Sequence, residues 1–163
     1  MVIKNNNMKK GYIELQIDEK SKKLIKNWFK KTKITTVDKK IKNKLHLTLF
    51  FGLDYSKVKK QEIEKKIKKI KIKEILIKGI NYFPVENYDF KIFYLEIKDV
   101  NKKLLKLHNA FLNFPHLKDN NTHNFKPHIT LGYVNGSIKS KKIKYTGPKI
   151  LSIKGIKYKI FNK

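Results

Sequence analysis

Two short segments share one pattern, His46-Leu47-Thr48-Leu49 and His128-Ile129-Thr130-Leu131, 82 positions apart in a chain of 163 residues. Each lies in an apolar, β-prone stretch, KLHLTLFF and KPHITLGY, and reads as a strand. Successive strand side chains point to opposite faces, so His and Thr at i and i+2 share one face. The apolar residues between and after them then face a core. A fold that brings the copies together sets two imidazoles and two hydroxyls around one space. Two buried His–Thr sets merely satisfying each other is the plainer alternative, but it needs polar partners that a ligand site explains better.

The sequence around each copy repeats in outline. Tyr12 to Ile17 (YIELQI) alternates as a strand, and Asp18 is placed to cap a helix over Ser21 to Lys31 carrying Leu24, Ile25, Trp28 and Phe29. A basic connection over Ile34 to Lys44 leads to the first motif strand, Leu45 to Phe51, which is closed by Gly52 and the turn residues Asp54-Tyr55-Ser56. Val58, Ile63, Ile67 and Ile70 mark an amphipathic helix, and Ile72 to Ile80 reads as a strand ending near Gly79, followed by an aromatic turn over Asn81 to Asp89.

In the second half, Phe90 to Ile97 is a strand and Asp99 caps a helix over Asn101 to Asn113. Lys126 to Val134 is the second motif strand, and one or two strands follow around Ile150 to Phe161. Each half therefore supplies a strand, a helix and a His-x-Thr strand, which predicts an α+β protein of two related lobes with a cleft between them. The chain ends are expected near each other in one lobe.

Hydrophobic residues make up 40% of the chain, enough for a core despite a net charge of +27. Cysteine is absent, so there is no disulfide framework and no thiolate metal site. His116 and His123 share a loop without cysteine companions, and no metal or other cofactor is expected. MVIKNNNMKKGY holds no signal-peptide core and no stretch is long enough to span a bilayer, so the expectation is a cytoplasmic monomer with no membrane partner.

All 40 basic residues are lysine. Abundant Lys, Asn and Ile are the mark of an AT-rich genome, which accounts for part of the basicity. The field still attracts nucleic acid nonspecifically, but bidentate guanidinium clamps on phosphate are unavailable.

The HLTL and HITL strands, with the helix–strand order around them, resemble the 2H phosphoesterase superfamily over nearly the whole chain. The resemblance implies one bilobal domain over residues 1–163, with two pseudo-symmetric lobes of antiparallel sheet plus helix around a central cleft. It implies metal-free cleavage of nucleotide phosphodiesters, with His46, Thr48, His128 and Thr130 as catalytic residues.

Two branches are matched. KLHLTLFFG and FKPHITLGYV resemble RNA 2′,3′-cyclic phosphodiesterases, historically called 2′-5′ RNA ligases. Val37-Asp38, Leu107-His108-Asn109 and Tyr133 resemble phage anti-CBASS phosphodiesterases, which destroy cyclic oligonucleotide immune signals and would act in the host cytoplasm. The last strand, KGIKYKIF, lacks the carboxylate that this second branch leads one to expect.

The first expectation is hydrolysis of 3′,5′ bonds in cyclic oligonucleotides. RNA-end processing is the alternative, and a sponge that binds without turnover is a further one. An aromatic-lined pocket favours the first, and a continuous basic groove favours RNA. In either enzymatic case the ribose 2′-OH attacks the adjacent phosphate, one histidine acting as base and the other as acid, with the threonines on the phosphoryl oxygens. Which histidine does which is open from sequence.

Tyr12 and Tyr133 are candidate base platforms and Lys126 a candidate phosphate contact, against the plainer reading of ordinary aromatics and one lysine among 40. Phe83, Tyr88 and Phe93 read as core, and His108 as structural.

Overall fold

The computed structural model describes residues 10–117, 124–137 and 144–161. Its strands are β1 (Lys10–Ile17), β2 (His46–Asp54), β3 (Glu74–Pro84), β4 (Phe90–Lys98), β5 (His128–Asn135) and β6 (Ile150–Ile160). The helices are α1 (Glu19–Lys30), α2 (Lys60–Lys68) and α3 (Lys103–Asn109). All strand pairs are antiparallel, in the closed order β1-β2-β5-β4-β3-β6.

The ring is two three-stranded halves joined by short seams. β1 pairs along most of its length with β2 and β6, and β4 does so with β3 and β5. The seams are one register pair between β2 and β5, Leu47↔Ile129, and three between β3 and β6. The succession β1–α1–β2 thus repeats as β4–α3–β5, as the internal repeat in the sequence predicts. Phe161 N–H donates to the Lys10 carbonyl at 2.8 Å, so the described chain ends lie together in the first half.

α1 forms where Ile25, Trp28 and Phe29 recur at helical spacing. Asp18 caps it, its carboxylate accepting the Ser21 N–H at 2.7 Å. Leu24 falls off the buried stripe and is exposed. α1 and α3 also reach the opposite half: Phe29 of α1 meets Phe93 of β4, and His108 and then Phe111 beyond α3 meet Phe50 of β2. Helices lie outside a closed ring, so the faces bearing Phe50 and Phe93 look outward into the core. Ile13, Leu15, Leu47, Leu49, Leu95, Ile129 and Leu131 fill the same layer, each fully buried. The other face of every strand lines the interior.

Two expected boundaries move. β3 does not stop near Gly79; it passes an irregularity between Ile77 and Gly79 and stays paired with β4 to Pro84↔Lys91. Proline is tolerated there because it ends the strand and no further ladder donor is needed. α3 is shorter than Asn101 to Asn113, because Val100–Lys102 form a 3-10 turn in which Asn101 and Lys102 adopt positive φ. Asp99 still caps, accepting the N–H groups of Leu104 and Leu105 at 2.8 and 2.9 Å. Phe93 is core as expected, but Tyr88 is exposed and Phe83 only half-buried, because Phe83 lies on the interior face.

Candidate active site

Residues paired across a ladder share a face. Leu47 and Ile129 pair and both point outward, so His46, Thr48, His128 and Thr130 all point inward at the seam between the halves. Because the strands run antiparallel, Thr48 lies beside His128 at one end of the seam and His46 beside Thr130 at the other.

A bulge follows each motif at the same place. Thr48 pairs with Glu14 and Phe50 with Ile13, skipping Leu49; Thr130 pairs with Tyr94 and Gly132 with Phe93, skipping Leu131. The fourth residue of HLTL and of HITL is therefore the extra one in its strand. Such bulges bend a strand and redirect the side chains beyond it. In β2 the bulge turns Phe50 out to the core and Phe51 inward opposite Tyr12.

Both imidazoles are anchored alike. His46 Nδ1 lies 3.1 Å from the Lys44 carbonyl, and His128 Nδ1 lies 2.8 Å from the Lys126 carbonyl. A carbonyl only accepts, so each Nδ1 carries hydrogen and each Nε2 is the nitrogen left for proton transfer.

Their surroundings differ. Glu14 is buried, with Oε2 3.7 Å from His46 Nδ1. Its Oε1 accepts from Lys159 Nζ at 2.6 Å and from Gln16 Nε2 at 3.1 Å. His128 instead packs edge-on between Phe83 and Tyr94, at 5.2 and 5.3 Å between ring centroids. Burial among these rings, with a smaller push from nearby His46, holds its pKa below the ordinary histidine value despite the opposing Lys126 hydrogen bond. One histidine sits beside a negative charge and the other in an apolar slot.

Tyr12 stacks on Phe161 at 4.7 Å, with its ring 6.1 Å from His46. Tyr133 lies beyond Thr130, its hydroxyl accepting from Lys42 Nζ at 3.2 Å, with that ammonium 4.9 Å from the ring centre. Lys126 serves His128 through its backbone, and the residue also lines a cavity of about 360 Å³ that reaches from Thr48 and His128. His108 is buried with Nδ1 2.8 Å from the Leu49 carbonyl, a structural role at the first bulge. His116 Nδ1 meets the Phe114 carbonyl, and His123 lies outside the described residues.

Residues 37–145, which include both motifs, match the family model of the 2′-5′ RNA ligase superfamily. The chain belongs to that superfamily. No curated protein sequence matches it significantly. Among solved structures it is similar to TT0787 of Thermus thermophilus, with a TM-score of 0.52 at 16% identity over 94% of this chain and 95% of that one. It is also similar to Kluyveromyces marxianus Usb1, with a TM-score of 0.49 at 12% identity over 83% of this chain and 75% of that one. The similarity to TT0787 supports the bilobal α+β fold.

Superfamily membership draws the eye to the two motifs, and the residues that differentiate them are easily passed over. Glu14 sits in an alternating strand at a position that reads as solvent-facing. Of the two rings that enclose His128, Phe83 reads as core and Tyr94 is one more residue of the strand Phe90 to Ile97. The sequence signal for Glu14 is slight: it is the one charged residue of YIELQI.

Proposed function

We propose that this protein is a metal-independent phosphodiesterase that opens ribonucleotide 3′,5′-phosphodiester bonds by two-histidine acid–base catalysis. The observation that carries the reading is the pair of inward-facing His-Thr sets, each imidazole held through Nδ1 by the carbonyl two residues before it. His128, neutral in its apolar slot, takes the 2′-OH proton on Nε2. The 2′ oxygen attacks the adjacent phosphorus. His46, which faces Glu14, acts as the acid and gives a proton from Nε2 to the departing 5′ oxygen. Thr48 and Thr130 donate to the non-bridging oxygens as charge builds on them. The products are a 2′,3′-cyclic phosphate and a 5′-hydroxyl; water then opens the ring with the two histidines exchanging roles.

The superfamily is named for 2′-5′ RNA chemistry, and this supports an oligoribonucleotide substrate. A second reading, cyclic oligonucleotide signals, is favoured by one observation: the cavity beside His128 is walled by aromatic rings rather than by a run of lysines.

The test is incubation, with EDTA present, against cyclic di- and trinucleotides and RNA ending in a 2′,3′-cyclic phosphate, read by mass spectrometry beside His46→Ala/His128→Ala. Linear products from the cyclic nucleotides, absent in the variant, favour signal destruction. Turnover of RNA ends alone favours RNA processing. Binding of every ligand without turnover sinks the enzymatic reading.

A further inference from the structure

The two ends of the seam are chemically unlike. At the Thr48–His128 end, β2 runs on to Phe51 while the chain entering β5 passes Asn124, Phe125 and Lys126, and between them opens the cavity of about 360 Å³. That size lies within the range of small-molecule sites, roughly 300–1,000 Å³. Phe51, Phe83 and Phe125 form its walls, and Asn124 and Lys126 supply polar groups.

The walls are braced. Phe125 stacks on His108 at 4.4 Å and 16°, and His108 is tied to the Leu49 carbonyl. Phe83 stacks on Tyr94 at 4.1 Å and 18°. A planar guest therefore meets rings whose orientation is already set, which reduces the ordering cost of binding. At the His46–Thr130 end stand Tyr133 and Lys42, beside a connection whose Val37 is exposed.

We propose that the cavity beside Thr48 and His128 is a nucleobase subsite for the nucleotide that supplies the 2′-OH, and that the leaving nucleoside lies over the Tyr133–Lys42 end. The polarity rests on the function proposed above. The nucleotide whose 2′-OH meets His128 carries its base at the His128 end, and the 5′ oxygen protonated by His46 belongs to its 3′ neighbour. The enzyme then selects on the 5′ base of the scissile step and tolerates the 3′ side.

Two measurements test this on the whole chain. In the first, non-cleavable 2′-deoxydinucleotides carry 2-aminopurine at the 5′ or the 3′ position, and stacking is read as fluorescence quenching. The expected result is strong quenching for the 5′ probe only, with Phe125→Ala weakening its binding about 5- to 150-fold, the worth of one base–aromatic stack. Phe83→Leu serves as a second variant should Phe125→Ala fail to fold. Equal quenching at both positions, or stronger quenching at the 3′ position, overturns the subsite.

In the second, the sixteen ribodinucleotides are ranked by kcat/KM. The ranking is expected to follow the 5′ base and to flatten in Phe125→Ala; a ranking that follows the 3′ base overturns the polarity. An absence of turnover with 5′-specific quenching intact sinks the proposed reaction and leaves the subsite standing.

Discussion

Replacing Glu14 with Gln separates the two histidines by chemistry. The substitution keeps size and one hydrogen-bond acceptor but removes the charge 3.7 Å from His46 Nδ1. Between unit charges at that separation, Coulomb's law gives about 1 kcal/mol in water and about 4 kcal/mol at an effective dielectric of 20. The His46 side chain is 33% exposed, which places the effect toward the lower end, about 1–2 kcal/mol, or roughly 5- to 30-fold in kcat.

Stability falls too, because Lys159 loses the charge of its partner. Its side chain is 36% exposed and can turn to water, so the cost stays below the roughly 3–5 kcal/mol of a fully buried broken pair. The decisive assay compares a ribodinucleotide, whose 5′-alkoxide needs a proton, with a 3′-(4-nitrophenyl) phosphate ester, whose phenolate leaves without one. Glu14→Gln is expected to slow the first by that factor and the second by less than about twofold. Equal loss on both substrates refutes the assignment of His46 as the acid supported by Glu14.

Burial lowers the His128 pKa, so the base proposed for the reaction stays neutral below the ordinary histidine value; the acid limb of kcat/KM is expected below about pH 6.5, and a limb above it contradicts the assignment. The sign carries over to stability: between the folded pKa of His128 and about 6.5 the unfolded chain binds more protons, so this group's contribution falls as the solution is acidified through that window, as pH-dependent denaturant titration can read. His108→Leu leaves the Leu49 carbonyl without its donor, at a cost of about 1–3 kcal/mol in thermal unfolding, and should lower kcat by releasing the bulge after Thr48; His108→Asn, whose amide nitrogen takes the place of Nδ1, should recover part of both. Asp18→Ala removes the α1 cap and should cost about 1 kcal/mol while turnover per folded molecule is unaffected.

Much of the framework is legible locally. Period-2 alternation places both motif strands, and helical spacing with Asp18 places α1, because each depends on neighbours a few residues away. What escapes is set by pairing across the ring. β3 runs past Gly79 through Asn81 to Pro84 because β4 offers a continuous partner, which the aromatic composition of that stretch disguises as a turn. Glu14 looks like a solvent-facing residue of YIELQI, yet it is buried because β2 and β6 close on both sides of β1 and bring His46 and Lys159 to it. Lys159 of the last strand is the counter-ion of that buried carboxylate. The unequal surroundings of the two histidines follow from the same closure, since Phe83 reaches His128 only across β4.

The most direct test of two-histidine catalysis through the 2′-OH is a matched pair of dinucleotides, ribose or 2′-deoxyribose at the 5′ residue, incubated with EDTA and followed by mass spectrometry. The account predicts a 2′,3′-cyclic phosphate and a 5′-hydroxyl nucleoside from the ribose compound, and no product from the deoxy compound or from His46→Ala/His128→Ala. Cleavage of the deoxy compound at a comparable rate would contradict it.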